Sequence, residues 1–319
     1  MRIDQAYCKE LDRVVNIEDA REAFFHQDQC DAFTFICSDP DCRYSGPSHQ
    51  REVRVTGVNH NKSPERDQIF RSPHFRKWDE HAENCIWMEY TRAVEELKGK
   101  LGDAQAKHRN RIEQRLSSPV IEKFYVPSAQ TDNTSREARS SDLHDILLGK
   151  SGDERKAVLK EYVRDRGASS RSLDTLVSCY EGLKEIDELR EVVEVVGRRH
   201  TTFRDLFRKF TFGITEDFHV YYGGAKLGKR YGKGFSLFFY DTYEELLLSL
   251  YVSSDDVASS KSYKMITDVV DKLEAAKSEN PKPYVNVYWI GGIEKKDDRS
   301  YVQILSPKHL VLRFVSRQD

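Results

Sequence analysis

No run of about eighteen apolar residues occurs in the chain, so no stretch of it is built to cross a bilayer as a helix, and no membrane partner is expected. The opening residues, Met1-Arg2-Ile3-Asp4-Gln5, lack the apolar core of a secretory signal. Cysteine is scarce and irregularly placed, six in 319 residues. Thiols so spaced do not make the dense framework of a secreted disulfide scaffold, and the expected compartment is the reducing cytoplasm. An excess of one charge is also missing: 51 Lys and Arg stand against 53 Asp and Glu, for a net charge of −2. Affinity for nucleic acid would therefore have to come from a local patch rather than from the field of the whole protein. Catalytic signatures are absent too. There is no His-Glu-x-x-His, no Gly-x-Ser-x-Gly, no phosphate loop, no dinucleotide fingerprint and no cysteine with a convincing histidine partner.

What is present is a polar chain, 33% charged and 38% hydrophobic, long enough for two or three domains and a sizeable core. Its most informative stretch runs from Phe33 to Cys85. Phe33, Phe35 and Ile36 read as a short strand delivering Cys37 into an Asp39-Pro40-Asp41 turn, which returns Cys42 beside it. Four intervening residues lie within the usual spacing for two thiolates on one ion. His81 and Cys85 are spaced i,i+4 and would share one face of a helix beginning near Trp78-Asp79. Cys37, Cys42, His81 and Cys85 are thus read as one tetrahedral Zn2+ site. Three sulfurs and one nitrogen leave no position for water, which is the structural and not the catalytic pattern. His74 is an alternative to His81, and Cys30 could join from the other side. His26, His49 and His60 are read as surface or loop histidines.

The Cys37/Cys42 hairpin, the loop after it, Ser72-Pro73-His74-Phe75 and the terminal His81/Cys85 pair together resemble the N-terminal zinc ribbon of competence protein CoiA-like proteins. The resemblance covers roughly residues 30 to 86. It implies zinc, a bacterial source and a DNA-handling context such as DNA uptake, mobile elements or phage. The sequence departs from the family's pattern in the wider Cys37–Cys42 spacing, in Arg76-Lys77 after Phe75, and in lacking a nuclease signature downstream. The resemblance does not extend to the family's catalytic part.

Along the chain, Asn16 caps a helix with early acids over residues 16–24. From Ile86 to about Phe124 the pattern is helical, with Trp87, Ala93, Val94, Leu97 and Leu101 as an apolar stripe. Arg109, Arg111 and Arg115 sit there on what reads as a solvated face. Residues 127–142 have almost no apolar content and read as a linker. Residues 143–197 suggest three short helices, the last continuing through Leu189, Val192 and Val195. The final 120 residues or so differ. Thr202 caps a short helix, and strands are expected at 210–214, 219–227, 234–240, 283–290, 301–305 and 310–315. Helical blocks are expected at 242–251 and 263–276, and a turn at Gly291-Gly292. The expected class is α+β, with a zinc-binding module (1–90), a helical connector (91–199) and a β-rich domain (200–319) resembling a small OB-like barrel with a helical insert.

Within that last domain, Tyr221 to Phe235 holds four cations and no acid, interleaved with tyrosine and glycine. Tyr221, Tyr222, Lys226, Lys229, Arg230, Tyr231 and Lys233 are the candidate nucleic-acid contacts, with cations on phosphates and rings on unpaired bases. Glu216-Asp217 ahead of the strand carrying Lys226 faintly suggests a metal-dependent nuclease core. The reading is a zinc-containing nucleic-acid-binding protein, with single-stranded DNA or DNA ends as partner. The alternatives are a scaffold subunit that holds a protein partner in a multi-protein system, and a metal-dependent nuclease.

Overall fold

The structure is a computed structural model that describes residues 1, 3–25, 32–45, 51–62, 73–98, 103–116, 119–128, 143–166, 169–259, 263–278, 282–296 and 298–315. The chain is mixed α+β and divides into two units. The first covers Met1–Asn61, Arg71–Lys123 and Thr131–Ser169; the second covers Lys62–Phe70, Phe124–Gln130 and Ser170–Asp319. The stretch expected as one helical connector is therefore shared between them. Most of the expected linker, from residue 129 to 142, lies outside the described residues.

In the first unit, strands β1 (Gln5–Cys8), β2 (Arg13–Asn16), β3 (Phe35–Cys37), β6 (Arg54–Val58) and β7 (His74–Lys77) form one sheet in the order β2-β1-β3-β6-β7. Short strands β4 (Tyr44–Ser45) and β5 (Arg51–Glu52) pair separately. Helix α1 (Ile17–Phe25) starts as its sequence requires, with the Asn16 side chain accepting from the Asp19 N–H at 2.8 Å. Period-two alternation turns Ala6, Cys8, Phe35, Val55 and Phe75 inward, into one core with Trp87 and Tyr90 of α3 (Ile86–Lys98). The one-turn helix α2 (Pro40–Arg43) follows β3, and α4 (Asp103–Leu116), α5 (Leu143–Leu147) and α6 (Gly152–Arg166) complete the unit. The α6 residues Leu159, Tyr162 and Val163 join the same core, and Arg155 and Lys160 pair with Glu89 and Glu96 of α3. Burying a side chain the size of Trp87 contributes on the order of 2–3 kcal/mol.

The single helical pattern expected from 86 to 124 is broken into α3, α4 and a terminal strand; Leu101 of its stripe lies outside the described residues. On α4, Arg109 is tied to the Val120 carbonyl and to Glu113 and Glu122.

The second unit holds two sheets. Strands β8 (Lys123–Phe124), β9 (Ser169–Ser170), β10 (Val192–Val195) and β11 (Arg199–Thr202) form a small one, ordered β11-β10-β8-β9. Helix α7 (Leu173–Glu185) ends at Ile186, so Val192 and Val195 lie on a strand and not on a continuing helix. Asp187 reverses the chain with a φ of 58°. The short helix α8 (Phe203–Leu206) is capped by Thr202 as expected.

The large sheet is built from β12 (Phe207–Lys209), β13 (Val220–Tyr231), β14 (Gly234–Tyr243), β15 (Leu246–Val252), β16 (Tyr284–Trp289), β17 (Gly291–Lys296), β18 (Arg299–Ile304) and β19 (Leu310–Val315). Its order is β17-β18-β15-β14-β13-β16-β19, with β12 parallel to the start of β13. Helices α9 (Ser254–Ser259) and α10 (Lys264–Ala275) follow β15, and α10 packs Ile266, Val269, Val270 and Leu273 against one sheet face.

Three expectations fail here. Residues 242–251 are not helical: Glu244 and Glu245 both take positive φ (48° and 68°), making the two-residue turn of a β14–β15 hairpin. Phe210–Phe212 is a 3-10 turn and not a strand. Gly291 opens a strand in place of a turn. The unforeseen β15 and β17 lengthen the sheet, whose path ends at β17 and β19 without pairing between these ends. A closed OB-like barrel is not shown.

Candidate metal centre and nucleic-acid interface

The four residues expected to share an ion come together. Cys37 ends β3 and Cys42 lies in α2. His81 and Cys85 lie in the loop between β7 and α3. Their ligand atoms all fall within 4.8 Å of one another. Cys37 Sγ is 3.7 Å from Cys85 Sγ, and His81 Nδ1 is 3.5 Å from Cys42 Sγ and 3.4 Å from Cys85 Sγ. The Ala82 N–H points at Cys42 Sγ at 3.3 Å. All three cysteines are buried, and none forms a disulfide.

One detail differs from expectation. No helix starts near Trp78-Asp79; α3 begins at Ile86, and His81 and Cys85 approach the cluster through a loop. The Cys85 carbonyl is instead an early acceptor of α3, from the Glu89 N–H at 3.2 Å. A loop serves because its shape is fixed elsewhere. Asp79 accepts from the Arg54 backbone N–H and guanidinium, and Arg54 also lies over the exposed Trp78 ring.

Asp39, read from sequence only as a turn residue, holds the two ligand pairs in register. One carboxylate oxygen accepts from the Asp41 N–H at 3.0 Å, capping α2 over Pro40; the other accepts from the Ile86 N–H at 2.8 Å, at the start of α3. One buried carboxylate thus serves two helix starts. Around it, Trp87 Nε1 donates to Ser38 Oγ, which donates to the Gln5 carbonyl. Arg43 donates to the Cys37 and Ser38 carbonyls. The Asp-Pro pair was the available signal for the first cap, since aspartate before proline is a helix-start signature. Nothing local signalled the second.

Crowding perturbs the thiols. The neighbouring Cys37 and Cys85 thiols hold Cys42 far below the ordinary thiol value. Close approach to Cys42 and Cys85, together with burial, pushes Cys37 far above it. A cation at the centre of the cluster would take the place of thiol protons, since thiolates are the metal-binding form.

Of the alternatives, His74 pairs within β7 opposite Val58 and is not in the cluster, and Cys30 lies outside the described residues. His26 and His49 also lie outside them. His60 lies in the turn after β6, as a loop histidine, but it is buried and not at the surface. Its ring sits among Phe24, Phe33 and Phe35, with Nδ1 2.7 Å from the Gly57 carbonyl. Burial holds its pKa below the ordinary histidine value.

The candidate nucleic-acid residues separate by burial. All lie on the β13–β14 hairpin, whose tip is Gly232-Lys233. Tyr221 is buried, its hydroxyl accepting from the Thr215 N–H, and Tyr222 packs beside Tyr180 and Tyr288. Arg230 is engaged by Asp271 and Glu274 of α10. Lys226, Lys229, Tyr231 and Lys233 are exposed. Asp217 pairs with Arg199, and among the described residues neither Glu216 nor Asp217 belongs to a group that could hold a metal. No helix among them is long and apolar enough to cross a membrane.

Comparison with protein-family models, with curated proteins and with solved structures found no match to this chain.

Proposed function

We propose that this is a nucleic-acid-binding protein whose N-terminal unit is held by a structural zinc ion on Cys37, Cys42, His81 and Cys85. The observation that carries the metal assignment is the set of ligand-atom separations, 3.4–3.7 Å where contacts are made. A tetrahedron with Zn–S near 2.3 Å and Zn–N near 2.0–2.1 Å has edges of about 3.8 Å between sulfurs and about 3.6 Å between sulfur and nitrogen. Three thiolates and an imidazole suit a borderline-soft ion and not the oxygen-seeking Ca²⁺ or Mg²⁺. With all four positions taken by protein, the ion organises the chain instead of activating water.

Support for nucleic acid comes from the hairpin. Lys226, Lys229 and Lys233 project from it with Tyr231, and no acid falls between residues 221 and 235. Lysines so placed attract phosphates, and the attraction weakens as salt displaces it. Fluorescence anisotropy with a labelled single strand across a KCl series tests this reading. Affinity is expected to fall steadily with salt, and the Lys226→Ala/Lys229→Ala/Lys233→Ala variant is expected to bind weakly with a shallower salt slope. Absence of binding at low salt would remove the reading and leave the protein-scaffold alternative.

A further inference from the structure

The large sheet has two faces, and the described residues cover only one of them along its length. Phe235, Leu237, Phe239, Leu248, Leu250, Val285 and Val287 turn toward α10. On the opposite face, α7 covers one end. There Arg313 reaches Asp174 and Glu181, and Tyr288 donates to Glu181. Beyond α7 the same face carries rings in place of a covering element. Tyr231 packs edge-on to Tyr251 at 5.7 Å, and Tyr240 edge-on to Tyr284 at 6.0 Å. Tyr231, Tyr240 and Tyr251 are 45%, 53% and 53% exposed.

The strand register gathers these rings. Lys226 lies opposite Phe238, Phe238 opposite Ser249, and Ser249 opposite Tyr301, one row across four strands. Ser236 lies opposite Tyr251 in the next row. Two glycines lie under the rings. A Cβ at Gly228 would come within 2.6 Å of the Phe238 ring, and one at Gly224 would touch the Tyr240 and Tyr284 rings. A Cβ at Gly228 would force the Phe238 ring to shift, whereas at Gly224 it would make ordinary contact with the two tyrosines. From β16 through β13 and β14 to β15 the platform spans roughly 14 Å at the usual strand spacing. Its charge is cationic: Lys226 stands on it, and Lys229 and Lys233 flank it along the hairpin. Of the acids nearby, Asp241 is paired by Lys209, while Glu294 accepts from the neutral Gln303 amide and keeps its charge.

We infer that this outer face is a base-stacking platform for single-stranded nucleic acid, with Tyr231, Tyr240, Tyr251 and Tyr284 taking bases and the hairpin lysines following the phosphates. The inference rests on the nucleic-acid reading above and deepens it. Aromatic rings offer every base a π-face, while the lysines supply the charge that a phosphate backbone complements. A duplex hides its bases and is a poor ligand for such a face. Tyr240, Tyr251 and Tyr284 escaped the sequence reading because they lie on three strands and only the register brings them together.

The test is anisotropy on the full chain, at one low salt concentration, with three ligands of equal length: an oligothymidylate of ~12 nucleotides, the same backbone without bases, and a duplex. The intact strand is expected to bind about 10-fold or more tightly than the abasic one. Tyr240→Ala and Tyr251→Ala should each cost about 5- to 100-fold on the intact strand and nothing on the abasic one. Tyr240→Phe and Tyr251→Phe should bind as the wild type does. Circular dichroism of each variant is expected to match the wild type, since the rings are largely exposed. Equal affinity for intact and abasic strands, or alanine variants that bind like the wild type, overturns the platform while leaving phosphate binding by the lysines. Binding to none of the three ligands overturns both.

Discussion

Asp39 shows how much one side chain does here. Its carboxylate closes α2 and reaches Ile86 N, 47 residues on, so it couples the loop bearing Cys37 and Cys42 to the element that follows Cys85. Asp39→Ala removes two charge-assisted hydrogen bonds, one of them the α2 cap, and is expected to cost about 2–3 kcal/mol in denaturant unfolding. Asp39→Asn, which keeps an acceptor, should cost less. His60 gives a pH dependence with a definite sign. Its folded pKa is depressed by burial, so the fold favours the neutral ring while the unfolded chain takes up a proton below about pH 6.5. Its contribution is complete above that value and is lost as pH falls toward the folded pKa. Thiolate protonation acts in the same direction, so the His60 part is read as the difference between the wild type and His60→Phe in urea midpoints at neutral and mildly acidic pH. That difference should shrink in disfavour of the wild type on acidification. The Cys/His cluster could be read in the sequence because each pair is only a few residues apart. The burial of His60 could not, because Phe24, Phe33 and Phe35 reach it from 25 to 36 residues away.

At the scale of elements, strands with alternating or aromatic-rich patterns were legible, and so were helices with side-chain caps. Tyr284–Trp289, Leu310–Val315, Ile17–Phe25 and Phe203–Leu206 all stand where sequence placed them, within a residue or two. The Leu246–Val252 strand was not, because leucine favours helices and its turn uses two glutamates in a conformation they seldom adopt. That turn carries its own prediction. Glu245→Gly relieves the left-handed strain and should raise stability by about 1 kcal/mol, measured by thermal unfolding. The attachment of α7 to the sheet is similarly specific. Buried Arg313 donates to the Asp174 side chain and carbonyl, to Glu181 and to Ser178. Arg313→Met removes the buried cation that Asp174 and Glu181 share, and the expected loss in urea unfolding is about 3 kcal/mol.

For the whole molecule, the residue patterns indicated the mixed α+β class that the structure shows. The division at 91–199 was not legible, since α5 and α6 join the core of the first unit while α7 joins the second, and helix patterns do not say which neighbour they bury against. The metal cluster and the aromatic face lie in different units, so they should separate experimentally. After chelation, amides of β3, β6, β7 and the start of α3 are expected to lose hydrogen-exchange protection, while those of β13 to β16 keep theirs, because metal binding and folding are coupled only where the ligands lie.

The most direct measurement is the metal content of the purified full-length chain, prepared without chelator or added metal, by elemental mass spectrometry. The expected result is about one zinc per chain, falling to background in Cys42→Ser and in Cys85→Ser. A wild-type chain free of zinc, with Cys37, Cys42 and Cys85 reacting as ordinary thiols, would contradict the account.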